Sequence, residues 1–257
     1  MDWARAKTLL ICMLLAVNAV LGGIWFFRAH EDGEAARQAE RELRRLLYEK
    51  GIDTGGAPLP SETALRYDIE RDPDMEKAMA EVLIGPVVRR DGSAASYQGE
   101  GGQADFRLSG RFEITLTQPI AVTGQSLTEL ARAMGMLPPS EEWPSYGYTL
   151  EQTAEGLPVW NCTALFSLSK GGLVSVSGQW LAGEVLPVSA EPCFSAGYCL
   201  LELAQRLPPA ERRTLISCTL GFFSEPASPT VERLTPHWRV ELSDGIYYVN
   251  AVTGRAV

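Results

Sequence analysis

The chain has 257 residues, 46% hydrophobic and 21% charged, which excludes a disordered or fibrous protein and suits one large domain or two small ones. Its formal net charge is −9. An acidic surface repels phosphate backbones and anionic lipid head groups, and Lys and Arg form no basic patch interleaved with aromatics, so no nucleic-acid partner is expected.

Thr8 to Phe27 is a run of twenty residues without a charge. At about 1.5 Å rise per residue, such a helix crosses the roughly 30 Å of a bilayer's hydrocarbon. Arg5 and Lys7 precede it, and Trp25, Phe26, Phe27 and Arg28 form an interfacial end. Residues 1–7 are therefore expected in the cytoplasm, 8–27 in the membrane, and the rest outside the cytoplasm. Arg28, Arg37 and Arg41 weaken the charge bias, but long domains translocate largely regardless of charge. A cleaved signal peptide is the competing reading. The apolar run is too long for one, and no A-x-A-like site follows it. A lipoprotein signal fails because Ile11 stands before Cys12, where a small residue is needed.

Cys12, Ala16, Ala19 and Gly23 fall at i, i+4, i+7 and i+11, a stripe of small residues down one side of this helix, and Asn18 adds a polar group near its centre. Small stripes let helix backbones approach, and Asn can hydrogen-bond across the contact. These five residues are the candidate partner-binding set. Such a face admits a homo- or hetero-dimer; chance is the competing reading, since Ala and Gly are common in membrane helices.

Glu34 to Lys50 reads as a charged helix with Ala39, Leu43, Leu46 and Leu47 on one face and Gly51 as its stop, a stalk that leads outward from the membrane before docking on the domain. Asp53 to Pro60 is a Gly/Pro-rich connector. Leu65–Ile69 alternates like a strand, and Met75–Leu83 reads as a short helix. Ser93–Gln103, with Gly99, Gly101 and Gly102, reads as a flexible hairpin tip; its nominal dinucleotide fingerprint lacks the flanking strand and helix. Phe106–Leu108 and Arg111–Thr117 form a hairpin around Ser109-Gly110. A helix opens at Ser126, with Glu129 completing a capping box, and ends at Pro138-Pro139.

Strand-like runs follow at Tyr146–Gln152, Val159–Ser167 and Leu173–Trp180, the last two joined at Lys170-Gly171-Gly172. The scheme then recurs. Ser195–Leu207 is a helix closed by Pro208-Pro209, and Thr214–Phe223, Trp238–Leu242 and Ile246–Asn250 are strands. Pro158-Val159-Trp160 and Pro236-His237-Trp238 each open the second strand of their triplet. Short turns require antiparallel neighbours, so the expected class is α+β: one N-terminal transmembrane helix, then repeated units of a helix and an antiparallel three-strand meander. The expected divisions are a stalk and connector over 28–60 and one extracytoplasmic domain over 61–257, with subunits near 61–125, 126–190 and 191–257.

The chemistry is sparse. No G-x-S-x-G, H-E-x-x-H, S-x-x-K or P-loop occurs. His237 reads as a surface or packing residue, and pairs such as Glu141 with Glu142 or Glu225 with Glu232 have no spacing that selects a catalytic pair. Beyond Cys12 there are Cys162, Cys193, Cys199 and Cys218, each among apolar neighbours. Packed thiols and one or more disulfides are both open, with three pairings allowed. With only His30 and His237 and no C-x-x-C, no metal and no cofactor are expected. The Asn161-Cys162-Thr163 sequon matters only in a eukaryotic secretory pathway. Trp160, Trp180, Trp238, Tyr247 and Tyr248 are expected mostly in the core, some on a protein-binding face.

Both ends carry a resemblance. Met1-Asp2-Trp3-Ala4-Arg5-Ala6-Lys7-Thr8 running into a membrane helix resembles the N-terminus of the YycI family of Gram-positive bacteria. Trp238-Arg239-Val240, followed by Tyr248-Val249-Asn250-Ala251-x-Thr253-Gly254, is similar to that family's last strands and also to the final hairpin of PepSY-type domains. The resemblance implies a membrane-embedded, non-enzymatic regulator acting beside a YycH-like protein on the cell-wall sensor histidine kinase WalK (YycG), with membrane helices in contact. Cys12, Ala16, Asn18, Ala19 and Gly23 are then the kinase-facing surface. The alternatives are a YycH- or PepSY-like ectodomain that binds a peptide or protease, and an envelope enzyme with a dispersed site.

Overall fold

The computed structural model describes residues 37–90, 95–140, 142–188, 192–208 and 212–256. The predicted span 8–27, and with it Cys12, Ala16, Asn18, Ala19 and Gly23, lies outside the described residues. No helix among the described residues is long and apolar enough to cross a membrane.

Helix α1 covers 37–49. The strands are β1 (Ile52–Asp53), β2 (Tyr67–Glu70), β3 (Val88–Arg90), β4 (Ala95–Gly99), β5 (Gly102–Phe106), β6 (Arg111–Ala121), β7 (Gly147–Ala154), β8 (Leu157–Ser169), β9 (Gly172–Gln179), β10 (Val185–Pro187), β11 (Arg213–Ser228), β12 (Val231–Leu242) and β13 (Gly245–Asn250). Helix α2 (Pro73–Ile84) precedes β3, α3 (Gly124–Ala133) precedes β7, and α4 (Ala196–Arg206) precedes β11. The fold is a sheet-rich α+β arrangement in which a helix followed by an antiparallel meander occurs three times: α2 with β4–β6, α3 with β7–β9, α4 with β11–β13.

One sheet runs in the order β10-β2-β12-β11-β8-β9-β6-β5-β4-β3, with β7 also on β8 and β13 also on β12. Inside each unit the pairing is antiparallel. The join between units is parallel, at Phe222↔Val159, where α4 supplies the long crossover that parallel neighbours require. The helices pack on one face. Along β8 the inward side chains alternate, Cys162 entering one core and Ala164 and Phe166 the next.

The two cores divide the chain unexpectedly. One holds Met79 to Ala182, under α2 and α3. The other combines Leu47, Ile52, Ala64 and Ile69 with Leu181 to Ala251, under α4 and α1, and takes in Ala154, Val159 and Cys162 from the β7–β8 hairpin. Residues 73–180 thus form an inserted lobe whose β7–β8 hairpin end reaches into the other core, and the segments on either side close into a host lobe. The closure is visible in the ladders: β2 pairs with β12, and β1 lies parallel to the start of β11. The helix read as a stalk is part of this host lobe. Leu47 is fully buried and Leu43 packs on α4, whereas Ala39 and Leu46 face solvent. Only the i, i+4 stripe fits the groove beside α4, which is why the broader apolar face divides.

Other expectations shift. The α3 cap lies three residues earlier, at Thr123: its Oγ1 accepts from Ser126 N at 3.2 Å and Ser126 Oγ accepts from Thr123 N at 2.9 Å. Glu129 accepts instead from Gln125. The helix ends at Ala133, with Met136 N bonded back to Ala131 O at 2.8 Å, before the prolines are reached. The glycines at 99–102 form the turn of an ordered hairpin, not a flexible tip. A Cβ on Gly99 would stand 2.4 Å from Ile84 O, so these glycines let β4 lie against the end of α2. Strand β12 begins at Val231, and Pro236 sits inside it rather than ahead of it. The last strand is laced to the C-terminal turn, Asn250 N donating to Arg255 O at 2.7 Å.

Candidate protein-binding face

Residues of β12 alternate between two environments. Leu234, Trp238, Val240 and Leu242 enter the host core, so Arg233, Thr235, His237, Arg239 and Glu241 point to the helix-free side. The registers Phe223↔Thr235, Gly221↔His237 and Arg239↔Tyr248 place Phe223 and Tyr248 there too. Strand β8 brings Trp160, whose ring lies across Gly221. A Cβ at Gly221 would meet Trp160 Cε2 at 2.5 Å, so a side chain there would displace the indole.

The result is an aromatic cluster on a face that no described helix covers. Phe223 lies 4.8 Å from His237 with the rings tilted by 59°, and meets Tyr248 edge-on at 4.9 Å. Trp160 and Tyr248 are 6.2 Å apart, and Arg239 Cζ is 5.9 Å from the Trp160 ring, within cation–π range. Trp160, Phe223 and Tyr248 stay half-buried while His237 beneath them is 1% exposed. His237 Nδ1–H donates to Thr235 O at 2.9 Å. Burial, the largest influence, pulls its pKa below the ordinary value, so the ring is held neutral. Trp160 Nε1 is buried without a hydrogen-bond partner. The polar neighbours are committed to structure. Asn161 Nδ2 donates to Ser224 O and Asn161 Oδ1 accepts from Ser224 N, both at 2.8 Å, and Ser224 Oγ donates to Glu232 at 2.6 Å. A shallow polar hollow of about 740 Å³ adjoins the cluster on the inserted lobe, lined by Arg107, Arg111, Glu113, Thr163 and Ser177 among others.

Of the aromatics named from sequence, Trp180 and Trp238 are in the cores and Tyr247 packs against the host core, its hydroxyl donating to Asp244. Trp160 and Tyr248 make the face. Sequence reasoning missed Phe223 and Arg239 as their neighbours; the alternation of β11 and β12 carried that signal once their registers were known. The four described cysteines are free. Burial pushes the thiols of Cys162, Cys199 and Cys218 up to about 12. Cys193 Sγ accepts from Ala64 N at 3.3 Å. Among the described residues, no three His, Cys, Asp or Glu side chains converge as a metal ion requires.

Chemically, this cluster offers π faces and one guanidinium, the surface types that anchor protein contacts. The molecule is thus a sheet-rich α+β protein with an aromatic patch on a sheet face that no described helix covers. No family model and no curated protein matches the chain. It is similar to solved structures at low identity. One is an uncharacterized protein from Eubacterium rectale, at 8% identity and a TM-score of 0.49, covering 80% of this chain and 90% of that one. A second is the YpeB C-terminal domain of Bacillus megaterium, at 12% and 0.39, covering 73% and 96%. A third is YycH from Bacillus subtilis, at 9% and 0.37, covering 77% of this chain and 52% of that one, about half its length. Likenesses this distant assign neither family nor activity.

Proposed function

We propose that this chain is a membrane-anchored, non-enzymatic regulator of a cell-wall-sensing histidine kinase of the WalK (YycG) type, acting beside a YycH-like protein through its membrane helix. The observation that carries the reading is the N-terminal word Met1-Asp2-Trp3 leading through Lys7-Thr8 into an uncharged run of twenty residues with a small-residue stripe. A kinase toggles between helix arrangements, and a partner helix biases output by its differential affinity for them. A coupling of roughly 1–3 kcal/mol shifts occupancy about 5- to 150-fold.

Ala19→Leu and Gly23→Leu fill the groove and are expected to change kinase-dependent transcription several-fold at normal protein level and membrane insertion. Unchanged transcription for both would count against this face. The direct test is membrane crosslinking and pull-down, comparing the native helix with a polyleucine replacement. Kinase capture lost in the replacement supports helix contact; capture by both moves recognition to the domain outside the membrane.

A second reading, a YycH- or PepSY-like domain that binds a peptide or protease, is favoured by the aromatic face. It predicts that Trp160→Ala combined with Tyr248→Ala loses the partner with either anchor. Retained capture would sink it.

A further inference from the structure

The path of the chain orients the host lobe. Helix α1 and helix α4 run side by side in the same direction. At one end Leu43 lies against Gly197, where an added Cβ would come within 2.3 Å of Leu43 Cδ2. At the other, Arg212 covers the Tyr48 ring at 3.7 Å and Arg213 N donates to Gly51 O at 2.9 Å, while the Arg213 guanidinium reaches Pro208 O, two residues past the end of α4, at 3.3 Å. The N-terminal ends of the two helices therefore lie together, at the side where the chain continues toward its apolar run. From Phe27 to residue 37 is a reach of at most roughly 35 Å.

At that end of α4 sits a pair of aromatics in contact, their rings tilted by 47°. Phe194 and Tyr198 are 4.5 Å apart, and each is 43% exposed. Phe194 is fixed by its backbone, since its N donates to Ala251 O at 2.7 Å and its O accepts from Trp238 Nε1 at 2.9 Å. Tyr198 leans on the C-terminal turn, where a Cβ on Gly254 would be 3.2 Å from Tyr198 Cε1. That turn carries exposed Arg255, and the first turns of α1 carry exposed Arg37 and Arg41. The carboxylates beside them face other guanidinium groups: Glu40 to Arg44 at 2.6 Å, Glu42 to Arg45 at 3.9 Å and Glu202 to Arg206 at 3.5 Å.

We propose that the host lobe rests on the phospholipid surface through Phe194 and Tyr198, with Arg37, Arg41 and Arg255 meeting anionic headgroups. The proposal rests on the reading of 8–27 as a membrane span. Amphipathic rings settle at the headgroup level, and exposed arginines gain from an anionic leaflet despite the chain's overall negative charge. Contact there fixes the tilt of the domain, so the inserted lobe and the aromatic face are presented at a set height above the bilayer.

The test uses the full chain in vesicles of phosphatidylcholine and phosphatidylglycerol. Tyr198→Cys, Phe194→Cys and, on the inserted lobe, Ser169→Cys, each combined with Cys12→Ala, are labelled briefly at pH 7 with an environment-sensitive fluorophore; the thiols of Cys162, Cys193, Cys199 and Cys218, raised by burial, react slowly there. Doxyl-labelled lipid is expected to quench the labels at 194 and 198 at least threefold more than the label at 169, with blue-shifted emission. Equal quenching at all three positions, or a blue shift at 198 without lipid quenching, which would mean a protein covers the pair, overturns the proposal. Failure of the chain to float with the vesicles removes the membrane anchor itself, a separate and visible outcome.

Discussion

Gln152 and Asn161 each place a side-chain amide where a neighbouring strand's peptide group would otherwise stand. Gln152, 5% exposed, donates from Nε2 to Leu181 O and accepts at Oε1 from Leu181 N, both at 2.9 Å. Gln152→Leu would bury that N–H and C=O unpaired, a cost of about 2–4 kcal/mol. For a chain of this size that lowers the melting temperature by roughly 5–15 °C. Calorimetry of the detergent-solubilised chain reads it, and an unchanged melting point would mean water replaces the amide. The thiols act through pH. Cys162, Cys199 and Cys218 are raised from 9.0 to about 12 by burial, so the folded state holds their protons more tightly than the unfolded chain. Their contribution is intact below pH 9 and is lost as pH climbs from 9 toward 12. A urea midpoint that falls over this window, and falls less steeply in the triple Cys→Ala variant, is the expected result; identical slopes would show that other groups dominate.

Helix α1 shows how much of an element's role its own sequence carries. Its charge pattern and apolar residues were enough to place a helix, but which apolar residues are buried depends on α4, more than 140 residues later. Leu47→Ala, at a site with no exposure, is expected to cost about 2–5 kcal/mol. Gly197→Leu drives a side chain into Leu43, and limited trypsin digestion should then cut at Arg41, Arg44 and Arg45 several-fold faster than in the native chain. Equal cutting rates would mean that α1 is held by other contacts. The sheet was legible for the same local reasons. The turn at Lys170-Gly171, with φ of 51° and 78°, joins two strands whose alternation is clear. Strand β12 is longer than the run Trp238–Leu242 suggests: Pro236 needs no N–H there, and its carbonyl accepts from Ala251 N at 2.9 Å. The aromatic face was half legible. Trp160 and Tyr248 stood out as large rings on strands, while Phe223, His237 and Arg239 join them only through register, which no single strand's sequence contains.

At the scale of the whole molecule, three helix–meander units in sequence become two lobes in space, with 73–180 inserted into a host built from both flanks. Repeat reasoning captures the units because each is local. It does not capture the closure, which depends on β1 finding β11 and β2 finding β12 across more than 150 residues. The lobes share β8, whose first half lies beside β11 and whose second half pairs with β9. Two amide clamps fasten the junction, Gln152 to Leu181 and Asn161 to Ser224. A bidentate pair, Arg71 to Glu76 at 2.6 and 2.8 Å, adds a third fastening where the chain enters the insertion. Such a junction couples the two cores, so the described part of the chain should unfold in one transition although it holds two hydrophobic clusters. Removing both clamps, with Gln152→Leu and Asn161→Ala together, leaves each core intact but loosens their connection. Native-state hydrogen exchange should then resolve two protection classes, one for the amides of β5, β6 and β9 and a separate one for those of β11 and β12, where a single class is expected for the native chain. If the double variant still exchanges as one unit, the coupling resides in the continuous backbone of β8 and not in the clamps.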